Sequence, residues 1–457
     1  MLTETIAAIS TGGTSSGINI IRISGEKALE IVSKIFTNYA KLDHQKIIYG
    51  KIINNITSTM VDEVLVSCFK APHSFTGEDV CEINCHGGRK VTLEILKLVV
   101  DNGARIAEPG EFSKRAFLNG KMDLSKAEAI IDVINAKTSA QAKVAVNQLS
   151  GGIYDKVETV RDMLVTLMAE IEVSIDYPEY DYEEITIERL EERLDLIKKE
   201  IDLLIKTHND GKYIKNGINL AIVGNTNVGK SSLLNTLLNE EKAIVTDIEG
   251  TTRDVIEETL IIGNLVLNVS DTAGIRETDD VVEAIGVNKS LKAIDDTDMI
   301  IYLIDLSRGL NARDIELLEK IKGQNKPYII GLNKVDISRE KIEDVKSQLG
   351  NHKNIICISS KTGEGIVELK DTIEEIFNIS NIDSEESRII VNERHKDLLE
   401  KARNSVIKAK EIAEMGESLD VAAIDIKEAT EMLGNITGKN ASSDVVNKIF
   451  EKFCLGK

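Results

Sequence analysis

The strongest constraint on the fold of this 457-residue chain is the segment 224–231, Gly-Asn-Thr-Asn-Val-Gly-Lys-Ser. It fits the pattern G-x-x-x-x-G-K-[S/T] and follows an apolar run, residues 218–223, that predicts a strand. The glycines allow backbone N–H groups to curl around phosphates, and the helix that follows points its positive end at them. We therefore expect Lys230 to reach the β- and γ-phosphates of a nucleotide and the Ser231 hydroxyl to coordinate Mg²⁺.

Three further segments follow in the order that a GTP-binding domain requires. Residues 271–274, Asp-Thr-Ala-Gly, place a carboxylate near Mg²⁺ and a glycine beside the γ-phosphate, and Thr252 supplies a second hydroxyl to the metal. In the segment 333–336, Asn-Lys-Val-Asp, the carboxylate of Asp336 accepts from guanine N1–H and the exocyclic amine, a pair of donors that adenine lacks. Residues 359–361, Ser-Ser-Lys, would close the base pocket. The order predicts GTP rather than ATP.

The residue after segment 271–274 departs from the commonest pattern. Ile275 stands where Ras-like proteins carry a glutamine that orients the attacking water. An isoleucine cannot hydrogen-bond to water, so another group must do this, and Glu283 in the acidic run 279–283 is the candidate. From the charge pattern alone, the alternative that these acids form a solvated face is favoured.

The pattern of apolar and turn residues changes along the chain, and these changes predict a multidomain protein. Residues 1–118 mix short apolar runs with turn residues, which is typical of an α+β domain. Residues 119–216 and 377–457 show helical periodicity and predict one discontinuous all-α domain. Between them, residues 217–376 alternate apolar strands and helices, which predicts an inserted α/β P-loop domain with a doubly wound sheet.

The predicted elements can be stated by position. Strands are expected at residues 18–23, 46–50, 64–69, 218–223, 265–269, 299–304, 328–332 and 355–358, and helices near residues 26–37 and 88–102. One face of a long helix is expected to carry Leu190, Leu194, Ile197, Ile201 and Leu204. The acidic stretch 176–184 is expected to be an exposed turn between helices.

Composition limits the partners and the compartment. The net charge of −20 repels nucleic acid, so an RNA substrate would need a local basic patch or a second protein to hold it. No window of 18 apolar residues and no secretory signal pattern is present in the sequence, which predicts a cytoplasmic protein that does not span a membrane.

The five cysteines are odd in number and scattered, which argues against a disulfide framework. Cys81 and Cys85, followed by His86, suggest a metal site at first sight. However, residues 80–85 alternate as a strand does, with both thiols on one face, so small side chains facing a core are the favoured interpretation.

A resemblance to a known family rests on these motifs and on three further segments. They are residues 250–254 (Gly-Thr-Thr-Arg-Asp), residues 279–286 and the final Cys-Leu-Gly-Lys, 454–457. The whole chain resembles the MnmE family of tRNA uridine modification GTPases, also called TrmE or ThdF. The resemblance implies an N-terminal tetrahydrofolate-binding and dimerisation domain, a helical domain and an inserted G domain. It assigns GTP contacts to Asn227, Val228, Gly229, Lys230, Ser231, Ser232, Thr246, Asp247, Ile248, Glu249, Gly250, Thr251, Thr252, Asp271, Thr272, Ala273, Gly274, Asn333, Lys334, Asp336, Ser359, Ser360 and Lys361.

The family is a potassium-activated GTPase, and the resemblance extends this to named residues. It implies that Asn227 supplies a side-chain oxygen to K⁺ and that Thr246, Ile248 and Thr251 supply further oxygens. A potassium ion beside the phosphates neutralises developing charge where other G proteins insert an arginine. The resemblance also gives the water-orienting, catalytic role to Glu283, against the solvated-face alternative.

The resemblance implies a folate site in the N-terminal domain. Its folate-contacting positions match Arg22, Glu78 and Lys121, with Lys457 at the far end of the chain. The ligand would be 5-formyl- or methylene-tetrahydrofolate, whose glutamate tail and pterin donors suit these opposed charges. From the residues alone, ion pairs on the surface explain the same charges equally well.

The final Cys-Leu-Gly-Lys places Cys454 four residues from the end, as in a prenylation motif. Gly456 is not aliphatic and Lys457 is a poor final residue, so lipidation is not expected. The resemblance places this tail near the folate pocket with Cys454 as a candidate reactive thiol, and a buried structural thiol is the alternative.

The resemblance implies a function and partners. The chain would install a carboxymethylaminomethyl-type group at carbon 5 of the tRNA wobble uridine, as a homodimer acting with the FAD-dependent MnmG in a heterotetramer or larger complex.

Two alternatives to this function stay open. One is an Era-type ribosome-assembly GTPase, which is a switch without further chemistry. The other is a stand-alone one-carbon transferase with a regulatory G domain, which needs neither tRNA nor a flavoprotein.

Overall fold

The computed structural model describes residues 4–12, 16–176, 186–240, 258–269, 297–350, 352, 354–377, 391–416 and 418–457. The chain divides into two compact units. Unit 1 comprises Met1–Ile134, Val146–Ile205 and Glu393–Lys457, and unit 2 comprises Asn135–Ala145 and Lys206–Asn392. The insertion of unit 2 into unit 1 agrees with the predicted multidomain fold.

Unit 1 begins with a six-stranded sheet. Its strands are β1 (Ile6–Ile9), β2 (Ile18–Ser24), β3 (Ile47–Ile53), β4 (Met60–Phe69), β5 (Val80–His86) and β6 (Arg105–Ile106). Their order is β3-β4-β5-β2-β1-β6, and neighbours are antiparallel except for the parallel pair β1–β6. Helices α1 (Ala28–Ile35) and α2 (Arg89–Asp101) contribute their apolar faces to the core of this sheet. The predicted α+β class is confirmed.

The cysteines of this sheet lie in its core. Cys81 and Cys85 are buried together with Ile83, as the alternation of β5 predicts. Burial raises the pKa of the Cys85 thiol, as expected for a small apolar side chain. His86 is exposed and pairs with Asp62. Within the described ranges, no cluster of three or more His, Cys, Asp or Glu side chains is arranged to hold a metal ion.

In the part of the chain that the structure describes, five helices follow the first sheet. They are α3 (Glu111–Leu118), α4 (Leu124–Asn135), α5 (Ser139–Leu149), α6 (Gly152–Asp176) and α7 (Ile187–Asn216). The periodic residues of α7 are buried, which confirms the predicted apolar face: Leu190, Leu194, Ile197, Ile201 and Leu204. Most of the acidic stretch 176–184 lies outside the described residues.

Unit 2 contains a second six-stranded sheet. Its strands are β7 (Ile218–Gly224), β8 (Glu258–Ile262), β9 (Leu265–Val269), β10 (Met299–Asp305), β11 (Tyr328–Asn333) and β12 (Ile355–Ile358). Within the described residues, its helices are α8 (Lys230–Glu240), α9 (Ala312–Lys322), α10 (Val335–Ser338), α11 (Ile342–Leu349) and α12 (Ile366–Ile376). The strand order is β12-β11-β10-β7-β9-β8, and only the β8–β9 pair is antiparallel.

Both faces of this sheet are buried. In β7, Leu220 and Ile222 belong to one apolar cluster while Ala221 and Val223 belong to the other. A parallel sheet covered on both faces is what continuous apolar strands predict. The five predicted strands agree with β7, β9, β10, β11 and β12 to within one residue at each end.

Three helices return to unit 1 after residue 392. They are α13 (Glu393–Glu414), α14 (Leu419–Thr437) and α15 (Ser443–Phe450). Helix α14 packs against both α13 and α6, and Arg394 of α13 donates to both carboxylate oxygens of Glu128 in α4, at 2.8 and 3.0 Å. Segments on both sides of the insertion therefore build one discontinuous helical domain, as predicted. None of the helices within the described residues is long and apolar enough to cross a membrane.

Candidate functional site

The phosphate loop joins β7 to α8 through backbone conformations that favour glycine. Gly224 has φ +155° and Gly229 has φ +100°. A Cβ at Gly224 would lie 2.5 Å from the main-chain oxygen of Leu303, and one at Gly229 would lie 2.3 Å from Nδ2 of Asn333. Neither contact is possible for a side chain, so the curl of the loop requires glycine at both ends.

Lys230 is held across this loop. Its Nζ donates to the main-chain oxygens of Gly224 at 2.9 Å and Asn225 at 2.8 Å. Burial lowers the pKa of the Lys230 ammonium. Ser231 and Ser232 follow in the first turn of α8, where helix N–H groups favour anions. The Lys230 ammonium and the N-terminal N–H groups of α8 thus lie close together, where both can bind phosphates.

A buried asparagine joins the phosphate loop to the predicted base pocket. Asn333 ends β11 and is 2% exposed. Its Nδ2 donates to the main-chain oxygen of Val228 at 2.7 Å. Its Oδ1 accepts from the main-chain N–H and the hydroxyl of Ser360, at 3.0 and 3.1 Å. One side chain therefore fixes three segments that are far apart in sequence.

Asp336 stands at the surface beside Ser359. The Ser359 hydroxyl donates to Oδ1 of Asp336 at 2.8 Å and accepts from the main-chain N–H of Thr362 at 3.2 Å. Asp336 and Lys361 are exposed. The carboxylate is therefore oriented from within the protein while its outer side is accessible to a ligand.

Lys334 adopts a left-handed backbone conformation, with φ +70°, and its Nζ donates to Oδ2 of Asp305 at 2.7 Å. Asp305 ends β10 and also accepts from Ser307, whose hydroxyl lies 2.6 Å from Oδ1. Burial alone would raise the pKa of Asp305, but the hydrogen bonds from Lys334 and Ser307 outweigh it and leave that pKa below its usual value. This carboxylate thus fixes the ammonium group of Lys334 through an ion pair.

The structure describes part of the predicted nucleotide site. The following predicted residues lie outside the described ranges: Thr246, Asp247, Ile248, Glu249, Gly250, Thr251, Thr252, Asp271, Thr272, Ala273, Gly274 and Glu283. The phosphate loop and the base side are described and lie together. The potassium-contacting and water-orienting roles all stay predictions, and for Asn227 only the position is described.

A second group of charges lies on the first sheet. Nε of Arg22 donates to Glu82 at 2.8 Å, across the β2–β5 pair. Its guanidinium carbon lies 5.4 Å from the ring centroid of Phe75 and 5.7 Å from that of Phe112. Its Nη1 is 3.5 Å from the main-chain oxygen of Gly456. Arg22 thus pairs with Glu82 and also lies within cation–π distance of two aromatic rings.

Glu78 lies close to this group. It accepts from the Ser24 hydroxyl at 2.7 Å, and Ser24 is two residues after Arg22 on β2. Nη1 of Arg115 is 3.1 Å from each of the two carboxylate oxygens of Glu78. The Lys121 side chain lies next to Gly77, the residue before Glu78. Its Nζ donates to the main-chain oxygen of Pro72 at 2.8 Å.

The C-terminal tail docks on the same part of unit 1. The Ser10 hydroxyl donates to the Gly456 oxygen at 3.0 Å, and the Phe112 N–H donates to the Lys457 oxygen at 3.2 Å. Gly456 has φ +87°, and a Cβ there would lie 2.3 Å from the oxygen of Ile9. The structure therefore brings Arg22, Glu78, Lys121 and Lys457 into one region, which their sequence positions do not reveal.

Cys454 is exposed. The alternative of a buried structural thiol is therefore wrong, because the tail turns Phe453 rather than Cys454 into the apolar cluster around α15. An exposed thiol is accessible to reaction, and whether it reacts stays a prediction.

Comparison with known proteins decides the family. A family model described as "MnmE helical domain" matches residues 124–454, and one described as "GTP-binding protein TrmE N-terminus" matches residues 5–121. A "tRNA modification GTPase MnmE" of Acetivibrio thermocellus is 48% identical over 99% of each chain, and one of Clostridioides difficile is 46% identical over 99% of each. The chain belongs to the MnmE family of tRNA modification GTPases. Among solved structures, Aquifex aeolicus Era bound to GDP·AlF4⁻ is 29% identical, covering 41% of this chain and 66% of that chain with a TM-score of 0.29.

Membership of the MnmE family makes this chain a GTP hydrolase, as the motifs predict. Sequence reasoning missed residues that position the two predicted sites. They are Asp305 and Asp314 at the nucleotide site of unit 2, and Arg115 beside Glu78 in unit 1. Asp314 accepts from Nδ2 of Asn225 at 2.5 Å and from the hydroxyl of Tyr302 at 2.8 Å, and thereby anchors the start of the phosphate loop. Asp314 is the third helical residue of a capping box that begins at Asn311, a signal for a helix start rather than for a site. Asp305 and Arg115 lie in no recognisable motif, and a charged residue next to apolar ones is too common to be diagnostic.

Proposed function

We propose that this member of the MnmE family is a potassium-activated GTPase that acts with the FAD-dependent partner MnmG. Together they install a carboxymethylaminomethyl-type group at carbon 5 of the tRNA wobble uridine, with a tetrahydrofolate as one-carbon donor. The observation that carries the proposal is the end-to-end similarity to the Acetivibrio thermocellus tRNA modification GTPase, at 48% identity. An Era-type switch explains the G-domain motifs but not a match that includes the N-terminal and helical domains.

The described residues suit the binding half of GTP hydrolysis. Lys230 and the N–H groups of the phosphate loop neutralise and orient the phosphates, and Asp336 selects guanine. In the proposal, Ser231 and Thr252 hold Mg²⁺, and Glu283 orients the attacking water in place of the glutamine that Ile275 replaces.

The potassium part of the proposal rests on Asn227. Its backbone is left-handed, with φ +61°, within the phosphate loop. Asparagine tolerates this conformation better than most residues, and its short side chain supplies a hard oxygen ligand beside the phosphates. The other proposed oxygens come from Thr246, Ile248 and Thr251. A bound K⁺ would supply positive charge to the transition state.

The charged region of the first sheet fits a folate. A pterin presents a flat ring with neighbouring N–H donors, and the glutamate tail carries carboxylates. Glu78 offers a partly exposed carboxylate to such donors, and Phe75 offers an aromatic face that is 38% exposed. Arg22, Lys121 and Lys457 offer cations for the acidic tail. The bound 5-formyl- or methylene-tetrahydrofolate would supply the one-carbon unit.

The proposed partners follow from charge and from the family. A chain with net charge −20 is a poor RNA binder by itself, so we assign much of the tRNA-contacting surface to MnmG. The proposed homodimer forms through the N-terminal domains, and GTP hydrolysis drives a conformational step. Because the proposed substrate is tRNA, we keep the prediction of a cytoplasmic location.

The experiment is mass spectrometry of wobble uridines in tRNA from a strain that lacks this chain. We expect the carboxymethylaminomethyl-type modification to be lost and to return with the wild-type chain. Lys230→Ala should fail to restore it, whereas Lys320→Ala, which removes an exposed i,i+4 ion pair with Glu316, should restore it. Unchanged modification in the deletion strain would favour the Era-type switch. Co-purification of a yellow, FAD-containing partner tests the partner separately.

A further inference from the structure

Arg115 is a buried arginine whose contacts converge on Glu78. Its side chain is 1% exposed. Nη1 lies 3.1 Å from both oxygens of Glu78, Nη2 lies 2.9 Å from Oε1 of Glu111, and Nη2 also donates to the main-chain oxygen of Glu4 at 2.9 Å. A single guanidinium therefore connects α3, the loop before β5 and the chain just before β1.

These contacts require the shape of the guanidinium as well as its charge. Its five N–H donors lie in one plane at fixed angles, so it can hold acceptors on two sides at once. A lysine ammonium at this position keeps the charge but cannot reach Glu78, Glu111 and the Glu4 oxygen with the same geometry. Replacement of Arg115 by lysine should therefore release Glu78 without leaving a buried carboxylate uncompensated.

A hydroxyl chain holds Glu78 from another side. The Ser24 hydroxyl donates to Oε2 of Glu78 at 2.7 Å, so the Thr76 hydroxyl, also 2.7 Å away, donates to Ser24. Thr76 in turn accepts from the main-chain N–H of Glu78 at 3.2 Å. Ser24 and Thr76 are both fully buried, whereas 20% of the Glu78 side chain is exposed. The inner side of the carboxylate is thus fixed by buried donors and its outer side faces solvent.

We propose that Arg115 is a positioning residue for ligand binding, which fixes the Glu78 carboxylate so that its outer side meets a pair of N–H donors on a flat heterocycle. The inference rests on the proposed folate function and adds a residue to it. Arg115 itself contacts no ligand in this scheme. Its contribution is to remove the rotational freedom that a partly exposed glutamate would otherwise lose on binding.

The test is titration calorimetry of the full-length protein with 5-formyl-tetrahydrofolate. We expect Arg115→Lys to weaken binding at least tenfold, and Glu78→Gln to weaken it by a similar factor. In the Glu78→Gln background, Arg115→Lys should cost less than twofold, because a residue that acts through Glu78 has nothing left to position. Equal losses from Arg115→Lys in both backgrounds, or no loss in either, would overturn the proposal.

Two controls separate positioning from general damage. Arg105→Lys breaks contacts with the same Glu111 and Glu4 but leaves Glu78 untouched, and it should change binding less than twofold. The fragment p-aminobenzoylglutamate lacks the pterin, so its binding should not respond to Arg115→Lys. Loss of both ligands in Arg115→Lys would indicate structural damage and contradict positioning.

Failure of the proposed function gives a different result. If the wild-type protein does not bind 5-formyl-tetrahydrofolate, the folate site is wrong and the role of Arg115 falls with it. If the wild type binds and Glu78→Gln does not, but Arg115→Lys binds as the wild type does, the folate site stands and the role of Arg115 alone is wrong.

Discussion

The side-chain amide of Asn333 donates to the main-chain oxygen of Val228 over 2.7 Å, although the two residues are 105 positions apart. The residue that opens the guanine-recognition segment thus also holds the phosphate loop in shape. Because the same side chain accepts twice from Ser360, a single residue contacts both the phosphate side and the base side of the nucleotide site.

Asn333→Ala should weaken GTP binding as a whole rather than change its base specificity. The substitution leaves the Val228 oxygen and the Ser360 donors without their buried partner, and each unsatisfied group costs roughly 1–3 kcal/mol. We expect the dissociation constants of GTP and GDP to rise about tenfold or more, measured by fluorescence titration with labelled nucleotides. Asn264→Ala, in the exposed turn between β8 and β9, is the matched control and should bind as the wild type does. Unchanged affinity in Asn333→Ala would mean that the loop holds its shape without this amide.

Asp336→Asn should change base specificity. Guanine presents two N–H donors to this side chain, and the two carboxylate oxygens of Asp336 can accept from both. Xanthine carries an oxygen in place of the exocyclic amine, and the amide of an asparagine can donate to that oxygen. We expect GTP hydrolysis at a fixed nucleotide concentration to fall at least tenfold and hydrolysis of xanthosine triphosphate to rise. The measurement is phosphate release with each nucleotide. Equal loss with both would show that Asp336 acts only through its bond from Ser359.

Gly456→Ala should detach the C-terminal tail. The residue has φ +87°, and a Cβ would lie 2.3 Å from the Ile9 oxygen. Gly416→Ala is a close control, since Gly416 has φ +73° with nothing within 4 Å of the Cβ position. Both variants share the backbone strain of roughly 1–2 kcal/mol, and only Gly456→Ala adds the clash. Hydrogen exchange should therefore accelerate at residues 450–457 in Gly456→Ala alone. Equal protection there in both variants would contradict a requirement for glycine.

Potassium dependence tests the proposed role of Asn227. We expect GTP turnover to be faster in KCl than in NaCl at equal ionic strength. Asn227→Gly keeps the left-handed backbone, which glycine adopts freely, but removes the side-chain oxygen, so the potassium stimulation should disappear while nucleotide binding is kept. Stimulation that survives in Asn227→Gly, or equal rates of the wild type in both salts, would remove Asn227 as a potassium ligand.

Glu111 should make stability depend on pH in the acidic range. Burial raises the pKa of Glu111, but hydrogen bonds from Arg105, the Glu108 N–H and Arg115 outweigh it and lower the pKa from 4.5 to about 2. A lowered folded-state pKa stabilises the protein above the unfolded value, and this stability is lost as the pH falls from about 4.5 to about 2. The shift corresponds to roughly 3 kcal/mol at neutral pH.

The measurement for Glu111 is urea unfolding of the wild type and Glu111→Gln at pH 7 and at pH 3. The difference in stability between them should be large at pH 7 and smaller at pH 3. Glu94→Gln, on the exposed face of α2, should change stability by less than about 0.5 kcal/mol at pH 7, as surface substitutions do. A wild-type advantage over Glu111→Gln that stays constant between the two pH values would show that Glu111 is not held ionised by its partners.

Much of the fold could be predicted because its signals are local. The strands of unit 2 are buried on both faces, so β10 appears in sequence as a continuous apolar run, and β7 and β9 as apolar runs that each contain one asparagine. The edge strand β8 was missed. It pairs with a neighbour on one side only, and its five residues, Glu-Thr-Leu-Ile-Ile, begin with polar side chains.

The amino-acid sequence by itself determined the phosphate loop, the guanine-recognition segment and the class of each domain. These depend on residues within about eight positions of one another, where spacing fixes geometry. Tertiary structure alone decided that Asn333 holds Val228, that Arg115 holds Glu78 and that Gly456 docks beside Ile9. These contacts join residues from distant segments, and a contact across a folded core leaves no periodic pattern in the chain. Their partners are selected by packing, since buried polar groups must find whichever donors and acceptors the fold brings near.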